Sequence, residues 1–381
     1  MTILWITENY YPNQGGMAQS CDRIVSGLRA NNIAVDVIHL VKKSRRRTKG
    51  NSVIGHDYSW ELSDQPSHGL NMLWNWLEQQ TTQYSKVVAF GSHYALIAAR
   101  NYSSWLDIPL VTMVRGNDFD TAIFDSRRRP LIADVYTNSQ QVICVSQDKV
   151  RKIARLFPEV NVNWIANGID LSLWRPMKSY NNRRDQIKSQ FPANRRVLGM
   201  IGDLKAKKGG KFLLENLEIS GLSEQFHLLL VGNLDDAITE HLNHSDSKIS
   251  YTHVPFLERH QLIPYYLSCD CLAIPSFYDG MPNVLLEGGG LGRPILAANT
   301  GGMKDILSHG QDALLFEPGD PHQLRQCLYQ LAQMSHEALE QLGSNCQTMI
   351  SEQYTVERES RSYQLALAEQ ANLELELVAG Q

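Results

Sequence analysis

Two carboxylates eight positions apart, Asp279 and Glu287, stand in the segment Ile274-Pro-Ser-Phe-Tyr-Asp279-Gly280-Met281-Pro-Asn283-Val284-Leu-Leu-Glu287-Gly288. A carboxylate accepts hydrogen bonds on both oxygens, which suits it to the vicinal hydroxyls of a sugar or a ribose. Asp279 therefore reads as a partner for sugar hydroxyls and Glu287 as a partner for ribose, with the Gly280-Met281-Pro turn exposing backbone N–H groups between them. Upstream, Gly202-Asp203-Leu204-Lys205-Ala-Lys207-Lys208-Gly209-Gly210 follows an apolar run. Its lysines and glycine pair suit a diphosphate, whose negative charge grows as a sugar departs. Near the N-terminus, Tyr10-Tyr-Pro-Asn-Gln-Gly15-Gly16 leads into an amphipathic stretch containing Ile24 and Leu28. A glycine pair at a helix start lets free N–H groups approach an anion or a hydroxyl closely.

These segments need strands to deliver them. Short apolar runs at Thr2–Thr7, Val35–Leu40, Val87–Phe90, Leu110–Val114 and Gln141–Val145 alternate with longer helical patterns. The pattern restarts at Arg196–Ile201, His227–Val231, Ile249–Val254, Cys271–Ile274 and Pro294–Ala298. Strands joined by helical crossovers make parallel sheets covered on both faces, so the fold class is α/β with two doubly wound domains. Ligands of such sheets bind beyond the carboxyl ends of the strands, where strand order reverses, and two sheets facing each other would share a cleft. Turn signals at Asn167-Gly-Ile-Asp170 and Trp174-Arg-Pro176, followed by polar Lys178–Gln190, place a linker over 172–192. The expected domains are residues 1–175 for the acceptor and 190–355 for the donor. A closing helical segment over 356–381 is expected to pack back on the first domain.

Composition fits a folded globular chain: 381 residues, 43% hydrophobic and 20% charged. No apolar run reaches the roughly 20 residues needed to cross a bilayer. The start, Met1-Thr-Ile-Leu-Trp-Ile-Thr-Glu8, reads as a first strand and not as a signal peptide, so a cytoplasmic location is expected. The six cysteines lack metal or redox spacing and read as reduced, buried thiols. Net charge is −4 but divided unevenly: residues 1–176 hold 19 basic against 15 acidic side chains, leaving 17 against 25. The basic run Lys42-Lys-Ser-Arg-Arg-Arg-Thr-Lys49 suggests peripheral contact with anionic membrane or a lipid-diphosphate acceptor. No aromatic residues interleave with it, which argues against nucleic acid.

The order of these motifs resembles that of the retaining GT-B glycosyltransferases of the large group 1 / GT4 family, which includes sucrose-phosphate synthases and many bacterial polysaccharide enzymes. The resemblance spans nearly the whole chain and includes Gly15-Gly16, Ile165-Ala-Asn167-Gly168-Ile-Asp170 and Thr300-Gly301-Gly302-Met-Lys-Asp305. The family's acidic pair is Glu, seven residues, Glu; here it is Asp279 and Glu287. The resemblance implies metal-independent, retaining transfer from a nucleotide sugar, with UDP-glucose the expected donor and a saccharide or lipid-linked acceptor in cell-surface polysaccharide assembly. No cofactor beyond the donor substrate is implied. By position, Lys208 neutralises the diphosphate and Glu287 binds ribose. Asp279 with Gly280, Met281, Asn283 and Val284 orients the donor sugar, and the backbone near Phe256 reads the base.

Two departures redirect the assignment. The family's usual Arg after the glycine-rich strand end is Asp203 here, so the second diphosphate cation is assigned to Lys205. The His common after a late strand of the first domain is Arg115, in Val114-Arg115-Gly116-Asn117-Asp118. Arg115, Asp118 and His93 are then the candidates on the acceptor side. A competing reading takes Asp118-Phe-Asp120 as the metal-binding Asp-x-Asp of GT-A glycosyltransferases, which a chelator would disclose. An oxidoreductase would need Gly-x-Gly-x-x-Gly, which is absent, and a silent sugar-binding protein would turn over no donor.

Overall fold

The computed structural model describes residues 1–13, 15–42 and 54–368. The basic run Lys42–Lys49 lies outside them beyond Lys42, as does the closing segment after residue 368. The chain forms two compact units, residues 1–167 together with the chain from Val356, and residues 168–355.

In the first unit, β1 (Thr2–Thr7), β2 (Ala34–Val41), β3 (Asp57–Glu61), β4 (Lys86–Phe90), β5 (Leu110–Val114), β6 (Gln141–Cys144) and β7 (Val162–Trp164) form one parallel sheet in the order β3-β2-β1-β4-β5-β6-β7. Successive residues of a strand face opposite sides, so Ile3, Trp5 and Val35 join one core cluster, whereas Leu4, Ile6 and Leu40 join the other. Both faces being buried, the central strands read as unbroken apolar runs. In the second unit, β8 (Arg196–Ile201), β9 (Phe226–Val231), β10 (Ser250–Val254), β11 (Cys271–Ile274), β12 (Ile295–Ala298) and β13 (Leu314–Phe316) form a parallel sheet in the order β10-β9-β8-β11-β12-β13. Strand order reverses between β1 and β4 in one sheet and between β8 and β11 in the other. All six cysteines are free and buried.

The unit boundary differs from the expected linker. The chain passes between units at 167/168 and again at 355/356. Residues 168–175 belong to the second unit because their apolar groups are packed there: Trp174 is buried edge-on to Tyr266, ring centroids 5.5 Å apart, and Ile169 bridges Thr355. The polar stretch after it is helix Lys178–Lys188, which packs on helix Arg259–Ser268.

Helix Val356–Leu367 packs in the first unit, against helix Gly16–Ala30. Tyr363, Ala366 and Leu367 enter the cluster that holds Ile3 and Trp5, and Arg23 pairs with Glu359 at 2.5 Å. Tyr363→Ala should therefore cost about 3–5 kcal/mol of stability, read by urea unfolding. A loss under about 1 kcal/mol would show that this helix is not part of that core.

Candidate functional site

In the second unit the loops leaving β8 and β11 meet at the point where strand order reverses, the place an open parallel sheet offers a ligand. A short 3-10 turn, Ala206–Lys208, follows β8 and ends at Gly209, whose φ of +70° favours glycine. A Cβ at Gly209 would lie 2.0 Å from the Pro275 carbonyl oxygen, so only glycine lets the two loops approach this closely. The Phe277 N–H donates to the Lys207 carbonyl at 2.9 Å and ties them together.

There Lys208 Nζ pairs with Asp279 Oδ2, and Lys207 Nζ stands 4.0 Å from Oδ1. The Gly280 N–H also donates to Oδ1, at 2.9 Å. Burial pushes the Asp279 carboxyl up, but Lys208, Lys207 and the Gly280 N–H outweigh it and hold the group below its ordinary value. A depressed carboxyl contributes stability above its unfolded pKa and loses it as pH falls through the folded one. Asp279 is thus ionised throughout the neutral range. Gly301 backs the loop from behind, since a Cβ there would lie 1.9 Å from the Asp279 carbonyl oxygen at a φ of +53°.

Helices Gly210–Ile219 and Asn283–Gly290 start in these same loops, and neither has a side-chain cap among the described residues. Their leading N–H groups and dipoles favour negative charge. Met281 is buried beneath the turn, whereas Asn283 and Val284 open the second helix half-buried. One turn further on, Glu287 Oε2 accepts from the Tyr266 hydroxyl at 2.6 Å. Burial, then the Glu287 charge, raises the Tyr266 phenol well above its usual value, so it remains a donor.

Lys205 sits elsewhere. Its ammonium pairs with Asp203 at 2.8 Å and its side chain is 70% exposed, against 20% for Lys207. The cation beside Lys208 at Asp279 is Lys207, which also lies 5.7 Å over the Tyr278 ring. Phe256 is exposed after β10. Beside it, a cavity of about 350 Å³ is lined by Gly232, Asn233, Tyr251, His253 and Pro255, and by none of Lys208, Asp279 and Glu287.

In the first unit, the strand-order reversal lies between β1 and β4. Glu8, directly after β1, accepts from three successive backbone N–H groups, those of Ser92 at 3.2 Å, His93 at 3.1 Å and Tyr94 at 3.1 Å. Its carboxylate thereby fills the anion position at the start of helix Tyr94–Trp105. His93 is exposed, with its ring against that of Tyr94 at 4.6 Å. Further along the same loop, Gly15 has φ +107°, and no described residue beyond its chain neighbours lies within 4 Å of a Cβ placed there. Helix Gly16–Ala30 starts beside it without a side-chain cap among the described residues.

Arg115 and Asp118 are buried and engaged within the unit. Arg115 donates to the Tyr363 hydroxyl at 2.7 Å and to Asn167 Oδ1, and Asp118 accepts from the Arg115 N–H at 2.7 Å and the Gly116 N–H at 2.5 Å. Burial raises the Asp118 carboxyl despite those bonds and the nearby Lys149 charge. Asp120, the other acid of Asp-x-Asp, pairs with buried Lys149 at 2.9 Å. These side chains brace the loop after β5 and the closing helix. Glu8, Lys207 and Tyr266 are the partners that the motifs did not single out. Lys207 was visible in the lysine run and Glu8 at a strand end, but nothing in the sequence marked Tyr266.

The Glycosyltransferase Family 4 model matches residues 14–173, and the model for Glycosyl transferases group 1 matches residues 195–334. By sequence, the D-inositol 3-phosphate glycosyltransferase of Corynebacterium glutamicum is 21% identical over 330 residues, covering 82% of this chain and 74% of that one. A glycosyltransferase of Methanocaldococcus jannaschii is 24% identical over 262 residues, covering 67% and 68%. By structure, the sucrose-phosphate synthase of Thermosynechococcus elongatus is similar at a TM-score of 0.81 and 16% identity, over 100% of both chains. HepE of Anabaena, solved in complex with UDP and glucose, is similar at 0.76 and 18%, over 96% of this chain and 99% of that one. At such identities the structural likeness establishes the fold.

Proposed function

Since the chain belongs to the group 1 / family 4 glycosyltransferases, with the GT-B fold, we propose that it moves a hexose from a UDP-linked donor to a saccharide or lipid-linked acceptor, with retention and without a metal. The observation that carries this reading is the Lys208–Asp279 pair at the strand-order reversal of the second unit, beside two uncapped helix starts. When donor arrives, the diphosphate takes Lys208 from Asp279, and the freed carboxylate accepts from sugar hydroxyls. Glu287, oriented by Tyr266, accepts from the ribose hydroxyls. Lys208, Lys207 and the helix N–H groups supply the positive field that a divalent ion supplies in other transferases. The acceptor oxygen then bonds to the anomeric carbon on the face from which the diphosphate departs, and its hydroxyl proton passes to the departing phosphate oxygen.

HepE, bound to UDP and glucose, supports UDP-glucose as the donor. The teichuronic acid and lipopolysaccharide core glycosyltransferases among the relatives support a cell-surface polysaccharide product. No helix of the described residues is long and apolar enough to cross a membrane, and a cytoplasmic enzyme touching anionic lipid through Lys42–Lys49 fits a lipid-linked acceptor.

Calorimetric titration with UDP, GDP and ADP, each with and without a chelator, tests the donor. UDP should bind at least tenfold more tightly than the others, about 1.4 kcal/mol or more, and chelation should leave the affinity unchanged. Binding that needs metal, or favours another base, would replace this reading. The anomeric configuration of the product, read by proton NMR, decides retention.

A further inference from the structure

The second unit has a cavity at the edge of its sheet opposite the Lys208–Asp279 pair. It holds about 480 Å³ and lies where strands begin: Arg196 starts β8, Asp270 precedes β11 and Arg293 precedes β12, with His336 and Glu340 of helix His336–Gln353 across from them. Strands of four to six residues separate the two edges by roughly 13–20 Å.

Two arginines line this cavity, each with one buried donor that has no partner among the described residues. Arg196 donates from Nη2 to the Met334 carbonyl, yet its Nη1 is buried and unbonded. Arg293 donates from Nη1 to the Cys269 carbonyl at 3.3 Å, and its Nε is likewise buried and unbonded. Neither makes an ion pair with a described residue. The acids on the wall are already engaged: Asp270 pairs with Lys188 at 2.8 Å and accepts the Val197 N–H at 2.8 Å, and Glu340 meets His336 at 3.2 Å. Burial lowers the Arg293 guanidinium below its ordinary value, with Cys269 and Asp270 offsetting part of that. Buried charged donors without acceptors are costly, and the two guanidiniums that carry them both line this one cavity, where an anion would be favoured. Leu291, Pro294 and Leu339 give the same cavity an apolar wall, and its volume exceeds that of a single ion.

We propose that this cavity binds a small phosphate-bearing molecule, with Arg196 and Arg293 on the phosphate and the apolar wall against its carbon skeleton. Arginine forks match phosphate oxygens in pairs. Helix Asn283–Gly290, which carries Glu287, ends at Leu291 on the cavity wall, so the ligand would touch the element that also serves the donor loop.

Titrating the full chain with inorganic phosphate against matched sodium chloride tests the proposal. Saturable binding is expected. It should weaken about tenfold or more in Arg196→Gln and in Arg293→Gln and persist in Lys208→Ala. Binding abolished by Lys208→Ala and kept in both arginine variants would assign the phosphate to the donor loops and overturn the proposal, as would no saturable binding below about 10 mM. If circular dichroism shows a Gln variant unfolded, Arg196→Lys and Arg293→Lys retain charge but lose the fork. Unchanged phosphate affinity in both would equally overturn it.

Discussion

Lys208→Ala is expected to lower kcat for sugar transfer by about a hundred- to a thousandfold, the range seen when one preorganised stabiliser of developing negative charge is removed. The diphosphate gains charge as the sugar bond breaks, and Lys208 is the cation already seated at the end of the β8 loop. UDP affinity should fall as well, because the ground-state diphosphate uses the same ammonium. Folding should survive: Asp279 keeps Lys207 at 4.0 Å and the Gly280 N–H at 2.9 Å. Lys207→Ala should lose less, its ammonium standing further from the carboxylate. Lys205→Ala should lose least, because Lys205 is spent on Asp203 and faces solvent. Steady-state kinetics on the three variants, with circular dichroism to confirm folding, gives the order. A Lys208→Ala enzyme within threefold of the parent would remove Lys208 from the chemistry.

The contrast among these lysines shows where sequence reading stops. The motif located the lysine run after β8, and Lys208 pairs with Asp279 there. Lys205 precedes the 3-10 turn in extended backbone, where Asp203, two positions earlier, captures it, whereas Lys207 and Lys208 lie inside the turn and face Asp279. Arg115 and Asp118 carry the same lesson over longer range. Read as acceptor-lining groups, both are buried: Asp118 accepts from N–H groups of its own loop, whereas Arg115 reaches Tyr363, 248 positions away, and Asn167, 52 positions away. No local pattern announces such a partner.

Strands show the complementary limit. The central strands were legible because both faces are buried and the apolar run is continuous. β3 and β7 are edge strands with half-buried or exposed residues, and β13 is only three residues long, so none carries that signal. The polar stretch near 180 misled for a related reason: helix Lys178–Lys188 buries only Ile187, leaving almost no apolar period to read.

Asp279 and Glu287 should separate in kinetics and binding. Asp279→Ala is expected to lower kcat about a hundredfold while leaving UDP affinity within about threefold. The free nucleotide has no sugar for Asp279 to hold, and removing the carboxylate releases Lys208 for the diphosphate. Glu287 needs a gentler change. Truncation to Ala would strand the Tyr266 hydroxyl, buried without an acceptor at a cost of about 1–3 kcal/mol, and confuse folding with binding. Glu287→Gln keeps an acceptor for Tyr266 but removes the charge that the ribose hydroxyls would use. UDP should then bind about ten- to a hundredfold more weakly, matching the 1.5–3 kcal/mol of hydrogen bonds to a charged group. Tyr266→Phe, which removes one hydrogen bond from Glu287 without discharging it, should weaken UDP less than Glu287→Gln does. Calorimetry on the three variants gives the nucleotide affinities and initial rates give kcat. Equal losses of UDP affinity in Asp279→Ala and Glu287→Gln would contradict the division of one carboxylate for the sugar and the other for the ribose.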